Sequence, residues 1–379
     1  MKLIILKENL NNGLSIVDRA TGKNPTLPIL NNILISAEKN FLNLSGTDLE
    51  LGIKYWALGK IEKEGQITVP AKTLSGFVNL LPEEKLTLEV KNQDLHIACK
   101  NYNTKIKGLS ADEFPIIPKT ENNSFIELNC SLFCDGLSQV VDFTVLNQSR
   151  PELSGVYFGF QKDKLRTVTT DSFRLAEKIL IFEKKIDQNF SFILPQKSAR
   201  ELINIFSGKN GKLRLYLSSN QVLFEYLMTE VPHPQIQLVS RLIEGEYPEY
   251  QEIIPQKYEA RAVLSKDGFL NQIKTASIFS GKTNEIKIRV VPQKRGMEIF
   301  SQNPELGEYK SFLAGEINYN APQGKEMETV FNYRFLIDGL LNIKNQKVIF
   351  ELNGEDGPAV LKPEGDNSYV YVLMPIKAV

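Results

Sequence analysis

Apolar and polar side chains alternate through Val156, Phe158 and Phe160, and again through Leu165, Thr167 and Thr169, on either side of a polar turn at Lys162-Asp163-Lys164. A period of two puts successive side chains on opposite faces of a pleated strand, so the two runs are predicted to pair as a hairpin. Asp171-Ser172 comes next. Its short side chains can bond the local backbone and are expected to hold Phe173, Arg174 and Leu175 at the tip of a loop. Elsewhere the period lengthens to that of a helix. Leu10, Leu14 and Val17 form one apolar stripe and predict a helix over Glu8 to Ala20, with Asn11, Ser15, Asp18 and Arg19 on its other face. Gly22-Lys23-Asn24-Pro25 supplies the stop.

The same cycle recurs along the chain. Leu3 to Leu6, Leu30 to Ala37, Phe41 to Ser45, Leu51 to Trp56 and Gly65 to Val69 read as strands. A helix over Ala71 to Leu81 closes at Pro82, and strands at Leu86 to Val90, Leu95 to Cys99 and Lys105 to Leu109 come after it. A second round opens with a strand at Phe125 to Leu128. A helix over Leu132 to Val145 is next, with Phe133, Leu137, Val140 and Val141 on its stripe. After the hairpin come a helix at Ser198 to Phe206 and strands at Leu213 to Leu217 and Val222 to Tyr226. The third round has a strand at Ala260 to Leu264 and a helix capped by Ser265 that carries Phe269, Leu270, Ile273 and Ala276. It ends with a helix at Tyr333 to Ile343 and strands at Val348 to Leu352, Pro358 to Lys362 and Tyr369 to Pro375.

Short motifs repeat in step with these rounds. Thr47-Asp48 echoes Thr170-Asp171, and Val69-Pro70-Ala71-Lys72 echoes Leu194-Pro195-Gln196-Lys197, with Phe331-Asn332-Tyr333-Arg334 as a third version. The interval is that of whole domains rather than of a solenoid. The expected architecture is α+β: three tandem copies of one unit over 1–120, 121–255 and 256–379, each with two helices and many antiparallel strands. The last strand is unusually apolar for a tail, with Val370, Val372, Leu373, Met374 and Ile376, and reads as exposed aliphatic surface.

Composition adds bounds. The 379 residues are 42% hydrophobic and 24% charged, enough to bury several cores. The opening Met-Lys-Leu-Ile-Ile-Leu run is too short for a signal peptide and no stretch reads as a membrane span, so a cytoplasmic protein is expected. Cys99, Cys130 and Cys134 match no zinc pattern with only His96 and His233 available, and buried, reduced thiols are the expectation. Lysine plus arginine equals aspartate plus glutamate at 45 each, so bulk charge argues against tight electrostatic binding of nucleic acid. Any such role must rest on placement or geometry. The paired Thr-Asp motif invites a general-base reading. Its third counterpart is Ser301-Gln302-Asn303-Pro304, however, and there is no glycine-rich phosphate loop, HExxH or CxxC. Two competing functions remain: a hydrolase, and a β-rich scaffold unrelated to DNA.

The motifs in order are Pro25-Thr26-Leu27-Pro28, Gly46-Thr47-Asp48-Leu49-Glu50, Val69-Pro70-Ala71, Arg150-Pro151-Glu152-Leu153-Ser154-Gly155, Thr170 to Ala176, Glu244-Gly245-Glu246-Tyr247-Pro248 and Tyr371 to Ile376. Together they resemble the bacterial DNA sliding clamp family, the β subunit of DNA polymerase III, from end to end. The resemblance implies a head-to-tail homodimer closing a ring of six domains around double-stranded DNA, with helices inside and sheets outside. It implies a non-catalytic subunit without cofactor or metal. The partners it implies are the DNA polymerase III catalytic subunit, the clamp loader and other proteins with clamp-binding motifs; no membrane is involved.

Site residues come from the same resemblance. A pocket for a partner peptide falls on Leu153, Thr170, Ser172, Phe173, Arg174, Leu175, Pro248, Ile253, Val372, Leu373, Met374, Pro375 and Ile376. Their aliphatic side chains suit hydrophobic anchors, and Arg174 suits carbonyl or carboxylate groups. Phe173 stands where the family commonly has histidine. Lys23, Asn24, Arg150, Lys197, Arg200, Lys274, Lys282, Arg334 and Lys344 are the residues expected to face DNA, with Asn24 at a position often held by arginine. For the ring seam, the edge strand over 103–108 is expected to meet its partner with Ile106 on one side and Ile278 and Phe279 on the other.

Overall fold

The computed structural model describes residues 1–22, 26–118, 124–145, 149–182, 186, 189–320 and 327–377. It divides into two compact units. The first comprises Met1–Cys134 and Arg200–Leu242, and the second Asp135–Ala199 and Ile243–Val379.

The first unit holds two antiparallel sheets. One has five strands in the order Lys60–Lys63, Lys2–Leu6, Lys85–Lys91, Asp94–Cys99, Tyr102–Lys107. The other has eight. Ile126–Asn129, Lys212–Leu217, Gln221–Leu227 and Pro234–Arg241 continue into Leu51–Leu58, Phe41–Thr47, Asn32–Glu38 and Gly65–Pro70. Strands of the second sequence repeat therefore complete the sheet of the first, through pairs such as Leu238 with Ile53. Helix α1 spans Lys7–Val17 and α2 spans Ala71–Asn79. Leu10, Leu14 and Val17 of α1 are fully buried, as the stripe predicts, and such side chains contribute roughly 1.5–3 kcal/mol each. Gly13 is required on that face, because a Cβ there would lie 2.5 Å from the Tyr55 ring.

The second unit repeats the plan. A nine-stranded sheet runs Phe190–Pro195, Gly155–Gln161, Lys164–Thr170, Arg174–Ile181, Tyr369–Leu373, Ala359–Pro363, Lys347–Leu352, Ala260–Ser265, Glu316–Tyr319. The predicted hairpin is its second and third strands, paired from Tyr157–Val168 to Gln161–Lys164. A four-stranded sheet runs Gly307–Ala314, Gly296–Asn303, Glu285–Val291, Met327–Asn332. Along the rest of the chain, helix α3 spans Cys130–Ser138, α4 Gln196–Phe206, α5 Lys266–Ser277 and α6 Tyr333–Leu341. Ser265 caps α5 by accepting from the Gly268 N–H at 3.3 Å.

Several expectations need correcting. The helix predicted to reach Val145 stops at Ser138, and a short 3-10 turn succeeds it at Val141–Phe143. The Val140 carbonyl accepts from Thr169 Oγ1 and the Val141 carbonyl from Gln196 Nε2, which draws this backbone out of the helical ladder. Arg174 and Leu175 are not at a loop tip but open the strand Arg174–Ile181. The strand expected at Lys105 to Leu109 lies at Tyr102–Lys107, since Leu109 leaves it to bond Thr68 in both directions. The tail strand is not surface either. Tyr369–Leu373 runs inside the nine-stranded sheet, and Leu373 is 0% exposed. All three cysteines are buried and unbridged.

Candidate functional site

The Thr-Asp motif builds the same turn in both units. Asp171 Oδ1 accepts from the backbone N–H groups of Phe173 at 3.0 Å and Arg174 at 2.9 Å, while Thr170 Oγ1 donates to the Arg174 carbonyl at 2.8 Å. Asp48 Oδ1 accepts from Glu50 and Leu51, and Thr47 Oγ1 donates to the Leu51 carbonyl. The residue after each aspartate sits in the left-handed region, Ser172 at φ 76° and Leu49 at φ 79°. These bonds consume the aspartate's accepting oxygen in holding a turn, which is a structural use of the carboxylate.

Beyond the turn the two units differ. In the second, Arg174 Nε donates to Asp171 Oδ2 at 2.8 Å and its NH1 to Asp338 Oδ2 of α6 at 2.5 Å. The guanidinium also lies over the rings of Phe335, 4.5 Å away, and Phe143, 5.1 Å away. Burial opposes its charge, but Tyr371, Asp338 and Asp171 outweigh that and raise its pKa. Arg174 is thus a strut between turn and helix. Gly339 on α6 leaves room for this layer, since a Cβ there would meet the Tyr371 ring at 2.5 Å.

The tail strand docks directly beside the turn. Arg174 is in register with Leu373 and Leu175 with Val372, and the Met374 N–H donates to the Phe173 carbonyl at 2.8 Å. The Ile376 N–H donates to the Val330 carbonyl at 2.8 Å, fixing the chain beyond the strand. Leu175 and Val372 join Val168, Tyr250 and Val360 in one buried cluster, against which Tyr157, Tyr247 and Ile254 pack. Of the proposed pocket residues, Leu153, Leu175, Val372, Leu373 and Pro375 are buried, while Thr170, Arg174, Pro248, Met374 and Ile376 are half-buried. Ser172, Phe173 and Ile253 are exposed. Phe173 shows 62% of its surface and stacks towards Phe335 at 6.5 Å between ring centroids. All thirteen lie in the second unit.

The residues expected to face DNA are spread over helices and loops. Lys23 and Asn24 lie outside the described residues. Arg150, Lys197, Arg200, Lys274, Lys282, Arg334 and Lys344 are all exposed. Arg150 pairs with Glu152 at 3.1 Å and Lys344 with Asp135 at 3.0 Å. Exposed pairs of this kind exchange readily with solvent and ions. At the proposed seam, Ile278 is 64% exposed and Phe279 stacks on Tyr309 at 6.1 Å. Ile106 is different. It is only 5% exposed and in register with Leu95, so its side chain belongs to its own unit and offers no apolar surface to a partner. Among the described residues no group of histidine, cysteine, aspartate and glutamate could hold a metal ion, and no helix is long and apolar enough to cross a membrane.

Sequence profiles of the DNA polymerase III beta subunit match the chain in succession: the N-terminal domain over residues 1–118, the central domain over 128–249 and the C-terminal domain over 251–377. The chain belongs to the DNA polymerase III beta subunit family. The beta sliding clamp of Synechococcus elongatus is 28% identical over 384 residues, covering 100% of this chain and 99% of the relative. That of Staphylococcus epidermidis is 28% identical over 386 residues with the same coverage. The Bacillus subtilis DNA polymerase sliding clamp superposes with a TM-score of 0.92 at 26% identity over all of both chains. A Pseudomonas aeruginosa clamp bound to griselimycin gives 0.92 at 24% identity, again over both chains in full. Three tandem clamp domains, built from antiparallel sheets with few helices, are thus the fold of this family member.

The partners of Arg174 could not be read from the sequence. Asp338 lies 164 positions away and Phe143 and Phe335 belong to other elements, so no local spacing links them.

Proposed function

We propose that this chain is the protomer of a sliding clamp, a processivity factor for DNA replication that encircles duplex DNA as a head-to-tail homodimer. The observation that carries the reading is the end-to-end succession of the three beta-subunit domains. Its repeats divide near 1–120, 121–255 and 256–379. A closed ring retains DNA by enclosure, so a formal net charge of +0 is compatible with the task, and weak contacts independent of sequence favour sliding. Arg150, Lys197, Arg200, Lys274, Lys282, Arg334 and Lys344, with Lys23 and Asn24, are the residues assigned to the DNA side. The seam uses the backbone edge of Tyr102–Lys107 on one protomer and Ile278 and Phe279 on the other. The protein acts in the cytoplasm and catalyses no reaction of its own.

Partner proteins dock through a linear peptide at the place where turn, linker and tail meet. Phe173, Ile253, Pro248, Met374 and Ile376 supply the accessible apolar surface, while Leu153, Leu175, Val372 and Leu373 support it from beneath. The DNA polymerase III catalytic subunit and the clamp loader are the expected clients. Clamp assembled by its loader on nicked circular DNA should remain bound and run off after linearisation. Equal retention on circular and linear DNA would instead indicate a conventional DNA-binding protein.

A further inference from the structure

A buried polar cluster lies behind the peptide site and has no part in the docking surface, the DNA side or the seam. Glu177, 5% exposed, is three residues beyond Arg174 on the same strand. Its Oε2 accepts from the Tyr250 hydroxyl at 2.6 Å and from Arg166 NH1 at 3.0 Å. Tyr250 is 4% exposed and sits in the linker between Pro248 and Ile253. Its backbone carbonyl accepts from the Ile253 N–H at 3.0 Å, closing the short 3-10 turn at Gln251–Ile253 that turns Ile253 out to solvent. Tyr247 stacks on Tyr157 at 5.1 Å, and Tyr250 meets both rings edge-on at 6.2 and 6.4 Å.

We infer that Tyr250, anchored by Glu177 and Arg166, is a positioning residue for partner binding: it fixes the linker wall so that Ile253 stands at the edge of the peptide site. This rests on the proposed peptide docking and adds to it the element that sets one wall. The physical case is one of geometry. The linker's 3-10 turn is a single turn, too short to hold its own place. The cluster of three tyrosines constrains it sideways, while the bond to a buried carboxylate fixes its depth against the strand that carries Arg174. Arg166 helps aim that carboxylate through its own bond to Oε2. Its own Nε is buried without a hydrogen-bond partner, and its electrostatic partners are Glu177 and Tyr250. A hydrogen bond to a charged acceptor is the stronger kind, and its loss leaves the acceptor under-satisfied.

The test uses full-length protein and fluorescently labelled DNA polymerase III catalytic subunit. Tyr250→Phe keeps the ring and its edge-on contacts but removes the hydroxyl, and is expected to weaken polymerase binding about tenfold while lowering the melting temperature by a few degrees. Ile253→Ala should weaken it comparably. The double variant should bind no worse than the weaker single variant, because both changes remove the same wall. If the two effects simply multiply, or Tyr250→Phe lowers melting temperature while affinity is unchanged, Tyr250 is a packing residue only and the inference fails. Should Tyr250→Phe not fold, Glu177→Gln with Ile253→Ala reads the same coupling. Wild-type protein that binds no polymerase, or a tail deletion that leaves binding unchanged, would count against the docking proposal itself.

Discussion

Arg174 carries more structural duty than its side-chain type suggests. Two carboxylates and two aromatic rings engage it, on a turn and on α6. Arg174→Ala should cost about 2 kcal/mol of stability, less than a fully buried pair because Asp338 remains half open to water. Arg174→Lys should recover little of it, since an ammonium cannot bridge two acids and lie flat between two rings. Urea unfolding of the three proteins would check both statements. The Thr-Asp turn was legible in the sequence because every bond it makes spans two to four residues. The Arg174 layer and the Glu177–Tyr250 contact were not, because they join residues far apart in the chain that only the folded sheet brings together. Ile106 misled for a related reason. Its type suits an interface, but only the register with Leu95 reveals which face it occupies.

Elements with a buried stripe or a strict alternation were placed by pattern alone. Helix α1, helix α5 and the hairpin at Gly155–Gln161 and Lys164–Thr170 are the clearest cases. Lys60–Lys63 and Gly307–Ala314 gave no comparable signal, being edge strands with mostly exposed side chains whose sequence need not alternate. The tail strand misled in the opposite sense, its apolar run reflecting burial in the sheet rather than an exposed patch. That placement predicts how the two ends of the tail respond to change. Deleting Met374 to Val379 removes the backbone bonds to Phe173 and Val330 but keeps Tyr369–Leu373. The truncated protein should melt within a few degrees of the intact one and lose polymerase binding. Leu373→Asp, inside the sheet, should instead unfold the second unit by burying an unpaired charge, visible as loss of its cooperative transition.

At the level of the assembly, balanced charge is itself a functional property. A clamp that holds DNA by enclosure should show retention on closed circles that changes little between roughly 50 and 200 mM salt, where a protein relying on many phosphate contacts would lose orders of magnitude in affinity. Light scattering across a dilution series addresses the dimer. A mass of two chains at micromolar concentration is expected, and replacing Ile278 with aspartate should shift the curve towards single chains by placing an unpaired charge in the proposed seam.

The final strand of the chain, Tyr369–Leu373, is the neighbour of Arg174–Ile181, a strand made almost two hundred residues earlier. Until Tyr369–Leu373 has been made, that earlier edge stays unpaired and the proposed docking place lacks one of its sides. A chain without Tyr369–Leu373 should therefore leave that edge open and fail to capture a partner peptide.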